Sequence, residues 1–239
     1  MKMKERPDTE TARRSRDFYD WWAPFYDATN RFAARVRGAS DSAERRKAVA
    51  RLELSPGTRV LEVSCGTGSN LPLLREGVGE DGLVAGLDIS AGMLNRCRRK
   101  LRGKRVRARL LLGDAARLPF REGSFDAVFH HGGIAEFPDK RKAMGEMARV
   151  VRPGGKVVIC DAGLPPDRPA RWINRLLLKL QPAYAAPPPV KLLPPKAQKV
   201  QVSWIRGDAW YMIEFVKGRE TAADGSAEAS RRRGPLSEM

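Results

Sequence analysis

Cysteine and histidine, the side chains that build most disulfide frameworks and zinc sites, are scarce in this chain. Its 239 residues include only three cysteines and two adjacent histidines: Cys65, Cys97, Cys160, His130 and His131. No C-x-x-C spacing occurs, and neighbouring residues of a strand point to opposite faces of a sheet. The sequence therefore predicts neither a disulfide framework nor a metal site, and it predicts that the cysteines are small core residues.

Long apolar runs are absent as well. No stretch approaches the roughly 20 apolar residues that a bilayer-spanning helix needs. Residues 1–16 are charged and contain no apolar core of a signal peptide, so they predict a charged tail on a cytoplasmic protein.

Acidic residues are outnumbered by basic ones. The chain has 45 lysines and arginines against 28 aspartates and glutamates, a formal net charge of +17. Such a balance favours anionic partners, for example nucleic acid or acidic lipid headgroups. Because the basic residues are spread over several segments, a solvated basic surface explains the charge equally well.

The chain does show a regular alternation of apolar stretches with helical patterns. The apolar stretches cover residues 58–64, 83–88, 106–112, 125–131 and 156–161. This alternation predicts βαβ units, a parallel sheet and an α/β fold in one domain over 17–217. Two helices are expected within 17–52, a third is capped by Ser90, and a fourth runs over 139–151.

The C-terminal third departs from this alternation. Residues 163–198 form a proline-rich insertion, and strand-like runs on either side of Gly207 and Asp208 predict a β-hairpin. A helix is predicted within the insertion, either on an anionic membrane or over an acceptor pocket. Its basic face carries Arg171, Arg175 and Lys179. Residues 218–239 have little to bury and are predicted to be disordered.

A glycine-rich turn follows the first apolar stretch. Gly66 and Gly68 let the backbone turn tightly and approach a ligand, and Asp88 comes twenty residues later, at the end of the next stretch. A carboxylate at that place can accept both hydroxyl protons of a ribose. Leu71 stands where a dinucleotide fold has its third glycine, so the pattern favours a single nucleoside over NAD or FAD. A plain turn is the alternative.

Four segments now carry a resemblance: VLEVSCGTG, the acid of GLDIS, GDAARLPFREGSFDAVF and RVVRPGGKVV. In this order they resemble the motifs of class I S-adenosylmethionine-dependent methyltransferases. The resemblance covers roughly residues 18–160. Within the family, the chain most resembles the quinone-biosynthesis and phospholipid N-methyltransferase branches, whose early segment resembles FYDWWAPFYD. It implies a Rossmann-like, doubly wound, seven-stranded, mostly parallel sheet with an antiparallel C-terminal hairpin.

One residue departs from the family's pattern. Ser64 stands at the first glycine of the G-x-G-x-G turn. If the backbone needs a positive φ there, a serine is strained by about 1 kcal/mol or more.

The resemblance also implies which residues hold S-adenosylmethionine. Glu62 and the backbone of 64–68 are expected at the methionine end, Asp88 at the ribose, and Asp114 at the adenine, unless Asp114 is only a turn residue. The aromatic residues of 17–52 form either a lid over the cofactor or part of the core. The full expected set is Tyr26, Glu62, Ser64, Cys65, Gly66, Gly68, Asp88, Ile89, Met93, Gly113, Asp114, Ala115 and His130.

The reaction implied is transfer of a sulfonium methyl by in-line attack, which depends mainly on alignment and exclusion of water. His131 and His130, at the carboxyl end of the fourth strand, are candidates to assist an acceptor that must lose a proton. Glu136 is a weaker one. One histidine packing under the cofactor while the other points to solvent is the structural alternative.

The acceptor is expected to be small and apolar or lipid-like: a quinone precursor, a phenol or a phospholipid amine. Residues 130–133 read HHGG, whereas methyltransferases acting on bases commonly have an Asn- or Asp-Pro-Pro-aromatic run there. A nucleic-acid methyltransferase is therefore a minority alternative. A non-catalytic protein that binds or senses S-adenosylmethionine is another, and an NAD-dependent oxidoreductase is disfavoured by Leu71.

Overall fold

The computed structural model describes residues 10–36, 41–165, 167, 186–206 and 208–219. The strands are β1 Arg59–Val63, β2 Leu83–Asp88, β3 Arg109–Leu112, β4 Phe125–His131, β5 Val151–Ala162, β6 Ala197–Ile205 and β7 Trp210–Lys217. The α-helices are α1 Glu10–Val36, α2 Asp41–Ala50, α3 Leu71–Val78, α4 Ala91–Lys104 and α5 Lys140–Val150. Two short 3-10 helices cover Ile134–Glu136 and Val190–Leu192.

The strands form one seven-stranded sheet in the order β3-β2-β1-β4-β5-β7-β6. β1 to β5 pair in parallel, and β7 pairs antiparallel with both β5 and β6. The predicted fold class is therefore confirmed. The strand order reverses between β1 and β4, which places a crevice at the carboxyl ends of these two strands.

Helices pack on both faces of the sheet. On one face, α2, α3 and α4 contribute Val49, Leu74 and Leu94 to a buried cluster with Phe129. The three free cysteines are buried in the same cluster, as predicted. On the other face, α5 contributes Met144, Met147 and their neighbours to a second cluster.

The start of α4 follows the sequence signal closely. Ser90 has an extended backbone, and its Oγ accepts a hydrogen bond from the Met93 N–H at 3.0 Å, which satisfies a donor of the first turn. The buried face carries Met93, Leu94, Cys97 and Leu101. This helix therefore has a fixed position directly after the strand that ends at Asp88.

The starts of α1 and β5 differ most from the prediction. α1 begins at Glu10 rather than 17, so residues 10–16 of the predicted tail are helical; this stretch contains no proline or glycine, and Glu10 pairs with Arg14 one turn later. β5 begins at Val151 instead of 156. Pro153, Gly154 and Gly155 lie inside this strand, where a register shift against β4 absorbs the extra residues.

The hairpin of β6 and β7 is confirmed, although Gly207 itself lies outside the described residues. The same holds for the predicted basic helix with Arg171, Arg175 and Lys179, and for the predicted disordered tail from residue 220 onward. Among the helices that are described, none combines the length and apolarity needed to cross a bilayer. In the same part of the chain, no three metal-ligating side chains come together.

Candidate cofactor and acceptor site

The glycine-rich turn after β1 adopts three left-handed backbone conformations. Ser64, Gly66 and Gly68 have φ values of 57°, 53° and 75°. Ser64 stands where the family has a glycine, and it does have the positive φ that strains a serine. The Cys65 N–H donates to the Leu87 carbonyl at 3.0 Å, which ties the turn to the end of β2.

The two glycines of the turn serve different purposes. A Cβ at Gly68 would stand 2.5 Å from the Cys97 Sγ of α4, so this glycine allows the turn to pack on the helix. At Gly66 the nearest such atom is the Tyr26 Cε1, at 4.0 Å. Gly66 is therefore the position where a ligand can approach the backbone.

Asp88 lies beneath the turn with its carboxylate fixed by two backbone donors. Its Oδ2 accepts from the Gly66 N–H at 2.8 Å and its Oδ1 accepts from the Ser90 N–H at 2.9 Å. Burial raises the pKa of Asp88, while these two hydrogen bonds oppose the rise. Each oxygen keeps a second lone pair, so the group can still accept hydrogen bonds from a diol.

Glu62 is the second buried carboxyl group at the turn. Its Oε1 accepts from the Asn70 Nδ2 at 2.6 Å, while its Oε2 is buried without a hydrogen-bond partner among the described residues. Burial raises the pKa of Glu62 to about 8, against the lowering effect of Asn70. A buried carboxyl oxygen without a partner suits a cationic ligand group, such as the ammonium of an amino acid.

The residues expected around the adenine divide into exposed and buried ones. Ile89 is partly exposed, whereas Met93 and Ala115 are buried, so of these three Ile89 offers the most side-chain surface. Asp114 is exposed, and its Oδ1 accepts from the Ala116 N–H at 2.8 Å, which is the turn role that the sequence left open. The Gly113 N–H donates to the Asp88 carbonyl and so holds this turn beside Asp88, the residue expected at the ribose.

α1 packs along α4 and over the glycine-rich turn, where a lid was predicted. Asp20 accepts hydrogen bonds from the Ser90 Oγ and the Gly92 N–H, and Asp27 accepts from the Thr67 Oγ1 at 2.6 Å. Tyr26 is half-buried beside Gly66.

The alternative to a lid was that the aromatic rings of α1 form part of the core. Several of these rings are not in the core. Three of them project outward with high exposed fractions: Phe18 at 51%, Trp21 at 65% and Phe25 at 54%. Tyr19 points the other way and donates a hydrogen bond to the Glu136 Oε2 at 2.6 Å, which ties α1 to the segment after β4.

His130 is fully buried at the carboxyl end of β4. Its Nδ1 lies 3.0 Å from the Val63 carbonyl oxygen, which can only accept, so Nδ1 carries the proton and Nε2 is an acceptor. Nε2 has no hydrogen-bond partner among the described residues. Burial lowers the pKa of His130 to about 4. The ring is therefore neutral, and it packs against Phe137.

His131 is also buried, at 6% exposed, so the alternative in which one histidine points to solvent is wrong. The His131 ring is covered by Phe129, Trp210 and two arginine side chains. Arg45 Nη1 lies 3.4 Å from its Nδ1, and Arg206 Nη2 lies 3.5 Å from its Nε2. Burial and then these two guanidinium groups hold the pKa of His131 well below its usual range.

Sequence reasoning missed three residues that connect the two ends of the site. Asn70 bridges Glu62 to Arg45, since its Oδ1 accepts from the Arg45 Nη1 at 2.9 Å. Arg45 is one of several basic residues in α2, and no local pattern separates it from Arg46. Arg206 adjoins the predicted turn of the hairpin, so only its position in the folded chain reveals a site residue.

Comparisons with known proteins agree with this geometry. Residues 61–159 match the family described as methyltransferase domain. The chain is 40% identical over 127 residues to a demethylmenaquinone methyltransferase of Desulfitobacterium hafniense, covering 52% of this chain and 50% of the relative. It is 35% identical over 153 residues to another protein of that name from Bacillus cereus, covering 64% and 63%. This chain thus spans about half to just under two thirds of these curated relatives.

A solved structure supports the fold over a longer range. The phosphoethanolamine N-methyltransferase 2 of Haemonchus contortus, in complex with S-adenosyl-L-methionine, superposes with a TM-score of 0.66 at 18% sequence identity. The match covers 85% of this chain and 60% of that chain. The family match, the sheet topology and the glycine-rich turn with its two buried carboxyl groups together support the assignment of residues 61–159 to a methyltransferase domain of the class I, S-adenosylmethionine-dependent type.

Proposed function

We propose that this chain transfers the methyl group of S-adenosylmethionine to a small, hydroxylated aromatic acceptor of the quinol or phenol class. The observation that carries the cofactor is the pair of buried carboxyl groups at one glycine-rich turn. Among the described residues, Glu62 presents a buried oxygen without a hydrogen-bond partner. The two oxygens of Asp88 are fixed by the N–H groups of Gly66 and Ser90. These groups suit the ammonium and the ribose diol of one ligand.

When bound, the cofactor supplies an electrophilic sulfonium methyl. Glu62 would hold the ammonium, Asp88 the two ribose hydroxyls, and Ile89 one face of the adenine. Asp114 would accept from the exocyclic amine through its remaining lone pairs. The chain itself has to align the acceptor and exclude water, which is where proximity and orientation provide rate. α1, tied to Thr67 and Glu136, is placed to exclude water.

The acceptor class is supported by the shape of the surface after β4. A Cβ at Gly133 would meet no heavy atom within 4 Å, so space is open there. Trp210 lies beside the neighbouring Gly132, where a Cβ would stand 3.3 Å from its Cη2, and this partly exposed ring offers aromatic surface for a flat acceptor. The demethylmenaquinone methyltransferase relatives point to the same class.

Calorimetric titration with S-adenosylmethionine tests the cofactor, with Asp88→Ala as the control. Saturable binding that the substitution abolishes is expected. Methyl transfer to quinols, phenols, amines and phospholipids is then compared. Tight binding without transfer to any of them would favour a cofactor-sensing protein instead, and transfer to amines alone would contradict the acceptor class.

We further infer that the enzyme contacts an anionic membrane surface through an aromatic ridge on α1, formed by Phe18, Trp21 and Phe25. The three rings recur at helical spacing on the face turned away from α4, and neighbouring ring centroids lie 6.4 Å apart. Exposed aromatic clusters of this kind mark interaction surfaces.

Basic residues beside the ridge provide charge complementarity to such a surface. A cleft of about 420 Å³ between α1 and α4 is lined by Arg96, Arg99 and Lys100 together with Asp27. Docking on lipid would bring an apolar acceptor to the helix that covers the site.

Co-sedimentation with vesicles containing phosphatidylglycerol tests the membrane contact. The triple substitution Phe18→Ser, Trp21→Ser and Phe25→Ser is expected to reduce the bound fraction several-fold. Val200→Ser with Val202→Ser is the matched control, because these residues are also exposed but lie on the edge strand β6. Equal sedimentation of the triple variant and the wild type would contradict the proposal. It would also be contradicted if the triple substitution weakened binding to RNA but left binding to vesicles unchanged.

A further inference from the structure

A groove lies where the chain passes from the end of α4 to the start of β3. Its volume is about 450 Å³, and basic and aliphatic side chains line it in equal number. The basic residues are Arg98, Arg102, Arg105 and Arg107. The aliphatic residues are Leu101, Val106, Ala108 and Leu110. None of these eight residues belongs to the proposed cofactor or acceptor site.

The positive charge at this groove is not neutralised by nearby acids. Nine of the 14 residues in 96–109 are lysine or arginine, and none is acidic. All four groove arginines are exposed, and no ion pair within the described part of the chain includes any of them. The negative end of the α4 dipole accounts for Arg102 in the last turn, but not for Arg107, which lies beyond the helix. A bound anion would therefore relieve the mutual repulsion of these side chains.

Arg105 has a backbone conformation that a glycine adopts more easily. It follows the last residue of α4 with a φ of 54°, and its N–H donates to the Arg102 carbonyl at 3.1 Å. Glycine is the usual residue at such a helix end, because any Cβ is strained in the left-handed region. Strained residues of this kind cluster where a protein binds ligands. A glycine would form the same turn without strain, so the guanidinium group is what Arg105 adds at this position.

The backbone that carries the groove arginines is held in place. Arg75 of α3 donates to the Arg107 carbonyl through its Nε at 3.1 Å and its Nη2 at 2.9 Å. The Val106 N–H donates to the Leu101 carbonyl at 3.0 Å. The groove is therefore formed before any ligand binds, which lowers the ordering cost of binding.

The aliphatic residues of the groove are less exposed than its arginines. Val106, Ala108 and Leu110 are partly buried and pack on the same core cluster that contains the buried Leu101. A hydrocarbon chain gains free energy by covering such a surface, whereas a hydrated inorganic anion does not. No aromatic side chain is among the residues that line the groove, so it offers no ring on which a nucleic-acid base could stack.

We propose that this groove binds a single-chain lipid with a phosphate head. The arginines hold the phosphate, since guanidinium groups donate paired hydrogen bonds to phosphate oxygens, and the aliphatic residues cover the first part of the chain. The volume of about 450 Å³ lies within the range of roughly 300–1,000 Å³ that is typical of small-ligand sites. The proposal does not depend on methyl transfer and assigns the chain a second binding site.

Calorimetry on the full chain with octyl phosphate, kept below the concentration at which it forms micelles, tests the site. Inorganic phosphate and octanol each carry only one half of the probe, so octyl phosphate is expected to bind at least about tenfold more tightly than either. Arg98→Gln combined with Arg102→Gln should weaken its binding about tenfold or more. Val106→Ser should weaken the binding of octyl phosphate but not that of inorganic phosphate.

Two further variants separate binding from folding. Arg105→Gly removes the guanidinium group together with the backbone strain, so it is expected to raise the melting temperature while it weakens octyl phosphate binding about tenfold. Arg105→Gln should bind as weakly without the gain in melting temperature. Arg99→Gln is the matched control, because Arg99 is also an exposed residue of α4 but lines the cleft with Asp27. It should bind octyl phosphate like the wild type.

Several outcomes would overturn the proposal. These are no binding of octyl phosphate, wild-type binding by Arg105→Gly, and equal weakening by Arg99→Gln and the double variant. Equal affinities for octyl phosphate and inorganic phosphate would reduce the groove to a phosphate site. If octyl phosphate did not bind, arginine-dependent binding of single-stranded RNA would assign the groove to nucleic acid. In that case, arginine-dependent sedimentation with phosphatidylglycerol vesicles would assign it to the surface of a bilayer.

Discussion

The cofactor side and the acceptor side of the site are assembled from very different lengths of chain. The cofactor side is built almost wholly from residues 62–115, in consecutive strand-to-helix turns. On the acceptor side, the hydrogen-bonded or closely approaching pairs are 75, 86 and 117 residues apart in sequence. A local motif can therefore encode the first side, whereas the second exists only after the sheet, α1, α2 and the hairpin have assembled.

The largest expected effect tests the cofactor side at Asp88. Asp88→Ala removes the acceptor of two backbone hydrogen bonds and of the proposed ribose contacts, so the dissociation constant for S-adenosylmethionine should rise about 100-fold or more. Asp114→Ala, at the exposed turn, should cost less than about tenfold. Calorimetry measures both. Similar losses for the two variants would mean that the buried acid has no special role.

Within the turn, the two glycines should respond differently. Gly68→Ala places a Cβ against the Cys97 Sγ at a positive φ and should lower the free energy of unfolding by about 2–3 kcal/mol. Gly66→Ala meets no close atom and should cost only about 1 kcal/mol, from its backbone conformation. Chemical denaturation measures the difference. Equal costs would show that packing on α4 does not constrain the turn.

On the acceptor side, His131→Ala should lower turnover about tenfold while the affinity for S-adenosylmethionine stays nearly the same. Loss of the ring removes the side chain that packs on Trp210, so the proposed acceptor surface is held less well. Steady-state kinetics and calorimetry on one preparation give both quantities. A parallel loss of turnover and cofactor affinity would place His131 on the cofactor side instead.

Glu62 should make cofactor binding release a proton. Because the pKa of Glu62 in the folded chain is about 8, the group is mostly protonated at pH 7 and must ionise to pair with an ammonium. Calorimetry in buffers of different ionisation enthalpy should show about one proton fewer released by Glu62→Gln than by the wild type. Equal proton release would refute the pairing.

The same raised pKa sets the sign of a stability effect. The folded chain holds a proton on Glu62 that the unfolded chain loses above its ordinary pKa of about 4.5, so the free energy of unfolding falls as the pH rises from there to about 8. Glu62→Gln removes this penalty. Without cofactor, the variant should therefore be more stable than the wild type at pH 8 and gain less at pH 5, as thermal melts can measure.

The smallest expected effect concerns Ser64. Ser64→Gly relieves a left-handed conformation and should raise the free energy of unfolding by about 1 kcal/mol, without changing cofactor affinity. Ser69→Gly is the control, because Ser69 has no positive φ and accepts a hydrogen bond from Lys100. It should destabilise the protein. A gain for both substitutions would remove strain at Ser64 as the explanation.

The difference between the two sides also explains what the sequence could predict. The strands, the Ser90 cap and the hairpin follow from local apolar patterns and turn residues, and β2 and β4 have the predicted bounds. The start of α1 was missed because charged residues such as Glu10 and Arg14 suit a solvated tail as well as an exposed helix. The pairing of Arg45 with His131 could not be predicted, since no spacing in sequence expresses a contact between α2 and β4.

The register shift in the outermost strand bears on how this protein avoids association. β6 is an edge of the sheet, with Val200 and Val202 exposed, and such a strand can pair with the edge of another molecule. The irregularity between Gln198 and Gln201 contains Lys199 at a φ of 51°, which interrupts the row of backbone groups and places a charged residue within it. A second strand could align with only part of this edge, so the bulge protects the chain from aggregation at the cost of a regular hairpin.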